Sequence, residues 1–390
     1  MVRESLLSSL QSDNPLLDLL KAGASAQAVK DKIMATLKPL FRNQDILLGR
    51  AGELLAGVYM NVIRLRSNMP SIHIEKLIAF LNDRIDKAPE TVKAATARWD
   101  SAIAENDHRF WNLDHSYNDE DLYDRAFKTM RSMGAIIETL LQPYLRLMFD
   151  ILAARDKSDS NPSSSLPLGQ VVDKLTKQSE LGGLLAASNA GISISQWRNI
   201  AQHGDWRVEG SNIIVTYGLP AKRKTRSLTR SEMDQALQTA FETWRMLKTT
   251  WDIFTLDNNE LLSPCISAPN DPYSSAALLS TNLLAQGFAV TSLKVSHEIT
   301  KMTVRDLTDG DMKGRAAHAS QFVVTVYTFF GGSISEVTYE DRSGVPQHRF
   351  RATSDLCEQA IKCGLESVAG EMVFESLQGT KQSDDVIKPR

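Results

Sequence analysis

Arg198, Asn199 and His203 stand within one short stretch, residues 195–206, SQWRNIAQHGDW. A histidine takes and returns protons near neutral pH. An arginine grips an anion with a planar, two-point contact that lysine cannot copy. On an ideal helix turning ~100° per residue, with Trp197 at zero, Ile194, Ile200 and Ala201 fall within roughly 60° of it and make an apolar face. Arg198 then lies about 100° to one side and His203 about 120° to the other, with Asn199 between them on the polar side. Arginine is long enough to close that gap. Gly204, directly after His203, can end the helix in the left-handed conformation. Both side chains can therefore converge on one phosphate.

This order (an arginine, a polar residue, three more residues, a histidine) resembles the signature of the HEPN family, in which four to six residues separate the Arg and the His. Arg66–His73, Arg109–His115 and Arg342–His348 have similar spacings. The first crosses Pro70, the third crosses a glycine and a proline, and the second lies in an irregular aromatic stretch, so none reads as one helix. The flanks of Arg198–His203 also resemble the family, with LGQVV from Leu168 before it and a strand, a turn and a long helix after it. The resemblance implies a helical bundle and a metal-independent, cofactor-free ribonuclease of a bacterial toxin–antitoxin or antiviral system. It implies attack by a ribose 2′-OH on the adjoining phosphate, with His203 as the base and Arg198 holding the charge on the phosphoryl oxygens. Asn199 would orient the imidazole or bind the phosphate. Two such motifs usually face each other in the family, which implies a homodimer through this domain. Many family members are non-catalytic, so the competing reading is a dimeric RNA- or protein-binding or regulatory module.

Lys222, Arg223, Lys224 and Arg226, with Arg230, make the one dense basic cluster in a chain of formal charge −3. Placed on the turn after a strand, it is either a track for an RNA backbone or a solvated loop. Asp107, His108, Asp114 and His115 match no zinc spacing and read as a polar loop. Trp244 and Trp251, a heptad apart, read as core. Lys313, Arg315 and His318 read as loop residues without a partner. Cys265, Cys357 and Cys363 include no CxxC pair and fit buried thiols in a reducing cytosol.

The elements that must position these residues follow from periodicity. With 42% hydrophobic and 23% charged residues, the chain has apolar material for real cores. It has no run long enough for a membrane span and no signal-peptide core, which points to a cytoplasmic protein. Residues 51–66, 72–85 and 89–103 have helical spacing. A second block opens at Asn118 as a cap and runs over 122–154, kinked by Pro143. After a loop at 157–167 come short helices at 168–175, 181–187 and 194–203, then a strand at 211–217. A long helix through Thr249 opens on Ser231 and Asp234, which have the form of a capping box. Strands are expected at 288–295, 299–305, 322–330 and 334–339, with Gly331-Gly332 as a hairpin turn, and a final helix over 356–377. The expected fold is mainly α in the N-terminal (1–117) and central, HEPN-like (118–260) regions. A C-terminal α+β domain (265–378) with a mostly antiparallel sheet and a polar tail (379–390) follow. That last domain is the candidate for sensing a trigger or holding a protein partner.

Overall fold

The structure, a computed structural model, describes residues 14–50, 55–69, 74–111, 121–153, 163–186, 191–218, 220–266, 272–368 and 370–377. Asn118, Asp114, His115 and the polar tail fall outside the described residues, as do the side chains of Asp107 and His108. The mainly helical first two-thirds and the α+β final third are as expected. No described helix is long and apolar enough to cross a membrane.

The chain divides into two compact units, and the division is not the expected one. One unit comprises residues 37–46 and 61–271; the other comprises 1–36, 47–60 and 272–390. Most of the N-terminal helices thus belong with the central bundle. Polar bonds between residues far apart in sequence join them to it. The indole of Trp244 donates to Asn106 Oδ1 at 3.0 Å, Asn68 donates to Glu242 at 2.9 Å, and the amides of Arg42 and Asn43 cap Asp257.

In the first unit, helices α1 (Ile74–Lys87) and α2 (Pro89–Ala104) pack on the bundle made by α3 (Leu122–Ala135), α4 (Gln142–Ala153), α5 (Ile194–His203) and α6 (Arg230–Asp257). The cap of α3 is Asp121, whose carboxylate accepts from the amides of Tyr123 and Asp124. Between α3 and α4 the chain runs on without a break as a π-helical turn, Ile136–Leu141. Pro143 is the cause. It has no N–H for the carbonyl of Thr139 and its ring crowds that carbonyl, so the ladder widens. The Asn106 amide takes up the Thr139 carbonyl instead, at 3.3 Å. The hydrogen-bond register therefore changes where the kink was expected. The cap of α6 is a box made by Thr229 and Glu232 rather than Ser231 and Asp234, and the helix extends to Asp257. Asp234 instead pairs with Arg125 at 2.7 Å.

Asp150, nearly fully buried, accepts from Arg98 at 2.7 Å, from the Trp99 indole at 2.9 Å and from the Ser163 amide at 2.9 Å. Burial alone would raise its carboxyl pKa, but these donors outweigh burial and hold it below the ordinary aspartate value. A depressed folded-state pKa adds stability above the unfolded-state pKa, and that stability is lost as pH falls through the folded value. Asp150→Asn should therefore be less stable than wild type at pH 7, and the gap should close in the acid range. Urea denaturation at the two pH values measures it, and a gap of equal size at both would contradict the role given to Asp150.

The second unit holds a five-stranded sheet in the order β4 (Phe288–Lys294), β5 (Ile299–Asp306), β6 (Ile334–Glu340), β7 (Pro346–Thr353), β8 (Val373–Ser376). All pairings are antiparallel except β5–β6. Residues 322–330 are a helix, α9, and not the expected strand; α8 (Met312–Ser320) precedes it, and α7 (Pro272–Ala285) precedes the sheet. Parallel neighbours need a crossover of a dozen or more residues, and α8 with α9 supplies it, overriding the β propensity of FVVTVYTFF. Gly331, with φ 64°, ends α9, so the Gly331-Gly332 pair makes no hairpin. The final helix, α10 (Ser354–Cys363), is shorter than expected because residues 373–376 form the edge strand β8. Helix Pro15–Lys21 packs on α7. Lys313, Arg315 and His318 are not loop residues: all three lie on α8, where Arg315 pairs with Asp306 and His318 meets Gln286 at 2.8 Å. Of the cysteines, Cys357 is buried, Cys265 is half-buried and Cys363 is exposed.

Candidate active site

Helix α5 is defined at both ends by its own residues. The Ser193 hydroxyl caps its start by accepting from the Gln196 amide. Gly204 closes it at φ 66°, ψ 26°, the left-handed conformation expected for that position. Ile194, Trp197 and Ile200 are buried, as the projection requires. Ala201 is half-buried and packs toward Gly134 of α3, where an added Cβ would lie 3.5 Å from its methyl group. Small residues on both helices let them approach closely.

Arg198 is half-buried, while Asn199 and His203 are exposed. The Nε of Arg198 donates to Glu138 Oε1 in the π-helical turn, and its Nη1 donates to Asn199 Oδ1 at 3.3 Å. Arg198 and Asn199 are thus brought together. His203, the last residue of α5, makes no hydrogen bond to either of them among the described residues. Glu138 on Nε and Asn199 on Nη1 set the orientation of the guanidinium, and an anion arriving here would meet its Nη edge.

Sequence reasoning missed Glu138. A signal existed, since Glu138 is the sole acid between Asp124 and Asp150, set in the apolar run AIIETLL. A carboxylate in such surroundings needs a partner. Nothing in the linear order says that the partner lies 60 residues on.

The basic cluster is only partly on the expected turn: Lys222 and Arg223 lie on the connection after a strand, and the rest runs on into a further strand and a helix. Where one strand was expected, three form an antiparallel meander: β1 (Trp206–Glu209), β2 (Asn212–Tyr217) and β3 (Lys224–Leu228). Lys222 ends a short 3₁₀ turn, Lys224 and Arg226 lie in β3, and Arg230 opens α6. The meander brings the cluster back toward α5: Arg223 stands 3.7 Å from Asp205, two residues after His203. Arg226 stands 3.7 Å from Glu232. The Glu232 carboxyl is held below its ordinary value, mainly by the Thr229 amide and hydroxyl and to a smaller extent by Arg226. Residues 205–232 hold six Lys/Arg against three Asp/Glu, a local excess of positive charge in a net-negative chain. Among the described residues no group of three or more His, Cys, Asp or Glu is placed to hold a metal ion.

If this cluster binds a polyanion, replacing Lys222, Arg223, Lys224 and Arg226 with glutamine should weaken RNA binding and flatten the dependence of log affinity on log salt. Fewer counterions are then released per complex. A titration over a range of salt concentrations measures the slope, and an unchanged slope would mean that the cluster is only solvated.

Compared with protein-family models, curated proteins and solved structures, the chain gives no match.

Proposed function

We propose that the unit carrying α5 is a HEPN-like endoribonuclease that cuts RNA by 2′-OH attack, in the cytoplasm, as a homodimer, in a bacterial toxin or antiviral defence setting. The observation that carries this reading is Arg198 held by Glu138 on one edge, on a glycine-capped helix whose last residue is an exposed histidine. In the reaction His203 takes the proton from the 2′-OH, the 2′-oxygen bonds to phosphorus, and the bond to the 5′-oxygen breaks. The products are a cyclic phosphate and, once the leaving oxygen is protonated, a 5′-hydroxyl. The second motif of the homodimer supplies that proton. Arg198 stabilises the charge that builds on the non-bridging oxygens, with Asn199 beside it. The substrate brings its own nucleophile and the arginine carries the charge, so the reaction requires no metal. The setting and the dimer rest on the family resemblance, as does a trigger or protein partner for the other unit.

One observation favours a second reading, a non-catalytic HEPN-like dimer that binds RNA or protein: Arg198 is already neutralised by Glu138, and no bond joins it to His203. The two readings separate in an RNA cleavage assay on wild type and His203→Ala, with and without EDTA. The nuclease reading expects EDTA-resistant cleavage that the variant loses, with cyclic-phosphate and 5′-hydroxyl ends. Binding without cleavage on any RNA leaves the second reading.

A further inference from the structure

We infer that Tyr123, Phe127 and Trp206 form a stacking surface for unpaired bases of single-stranded RNA beside the Arg198–His203 site, an inference that rests on the ribonuclease reading. Tyr123 and Phe127 are four residues apart on α3, hence on one face, and are 57% and 52% exposed. Rings left this far in water add little to the fold. Tyr123 meets the half-buried Trp206 of β1, their ring centroids 5.6 Å apart and tilted by 41°.

The path of α3 sets this surface next to the candidate site. Glu138 meets Arg198, Gly134 faces Ala201 and Gln202, and Tyr123 meets Trp206. The two segments therefore run antiparallel, and the stretch of α3 with Phe127 and the exposed Arg131 runs alongside the end of α5 that holds His203. Three residues of chain reach at most about 11 Å, so Trp206 stays within reach of a nucleotide bordering the phosphate.

Charge selects the occupant. Trp206 is in register with Val215, and Val215 with Arg226, so the ring and Arg226 lie on one face of the meander on either side of the buried Val215. Aromatic rings flanked by cations suit a strand with phosphates on one side and free base faces on the other. Bases inside a duplex are already stacked on both faces and cannot lie on the rings. The surface therefore selects loops and single strands.

The test compares the His203→Ala protein, which should bind RNA without consuming it, with the same protein carrying Tyr123→Ala and Phe127→Ala. The probes are a short single-stranded RNA containing 2-aminopurine and a blunt RNA duplex of equal length. The expected result is quenching of 2-aminopurine by the parent. In the variant the quenching is lost and single-strand affinity falls on the order of ten- to a hundred-fold, while duplex affinity holds. Unchanged quenching and affinity would overturn the inference, and so would equal losses on both probes. A dimer turned monomer in sedimentation, with single-strand affinity intact, would assign the patch to a second copy of the chain and overturn it too. If wild type cleaves RNA while the variant binds normally, only the stacking surface fails; if wild type neither binds nor cleaves any RNA, the ribonuclease reading fails with it.

Discussion

His203→Ala should reduce RNA cleavage by roughly 10²–10⁴-fold, the usual loss when a positioned general base is removed. Its effect on stability should be small, on the order of 0.5 kcal/mol for an exposed position. Arg198→Ala should reduce cleavage comparably, through loss of the group that stabilises the transition-state charge. Its stability effect should be larger than that of His203→Ala, because Glu138, itself partly buried, loses its partner. Arg198→Ala/Glu138→Gln removes that complication and should stay inactive while recovering stability. Arg198→Lys should not restore cleavage, since an ammonium cannot bridge Glu138 and a phosphate with two fixed edges. Single-turnover cleavage and thermal unfolding of the four variants measure both sides. Wild-type rates in His203→Ala or in Arg198→Ala would sink the nuclease reading.

In the α+β unit, Asp306→Ala should lower stability by about 3–5 kcal/mol, the usual cost of leaving the other half of a buried ion pair alone. Asp306 is 3% exposed and accepts from Arg315 through Nε and Nη2, each at 3.0 Å. It also accepts from the amide and hydroxyl of Thr308 and from the Tyr339 phenol. The Arg315 guanidinium lies 3.7 Å above the Phe288 ring, so its charge has little water to return to when the carboxylate is removed. Asp306→Ala/Arg315→Met should recover much of the loss, since no unpaired charge remains. Denaturant unfolding of the single and double variants decides this, and additive losses would show that the two residues do not act as a pair. The same network gives an alkaline limb. Burial and Asp306 push the Tyr339 phenol up to about 12. Stability linked to its protonated form is full below the ordinary tyrosine value of 10 and falls as pH rises from there toward 12.

Much of this was legible in the residues themselves because it depends on neighbours in sequence. The span of α5, its apolar face of Ile194, Trp197 and Ile200, and its glycine cap are all local, set by helical period and by the one residue that enters the left-handed region freely. The strand pattern at 288–294, 299–306 and 334–340 was readable for the same reason, as was the burial of Trp244 and Trp251. Residues 322–330 were not, since a run that is apolar and β-branched throughout carries no period to separate helix from strand; the parallel pairing of β5 with β6 decided it. Residue types and helical spacing alone single out Arg198, Asn199 and His203 as groups suited to a phosphate and put them on one helix. The folded packing alone shows that Glu138 holds Arg198, that three strands bring Arg223 to within 3.7 Å of Asp205, and that helices before residue 112 complete the bundle. Each of these is a polar or ionic contact across 18 to 60 residues, or a core shared across more than a hundred. Such pairings depend on how the elements pack, and periodicity along the chain does not record them.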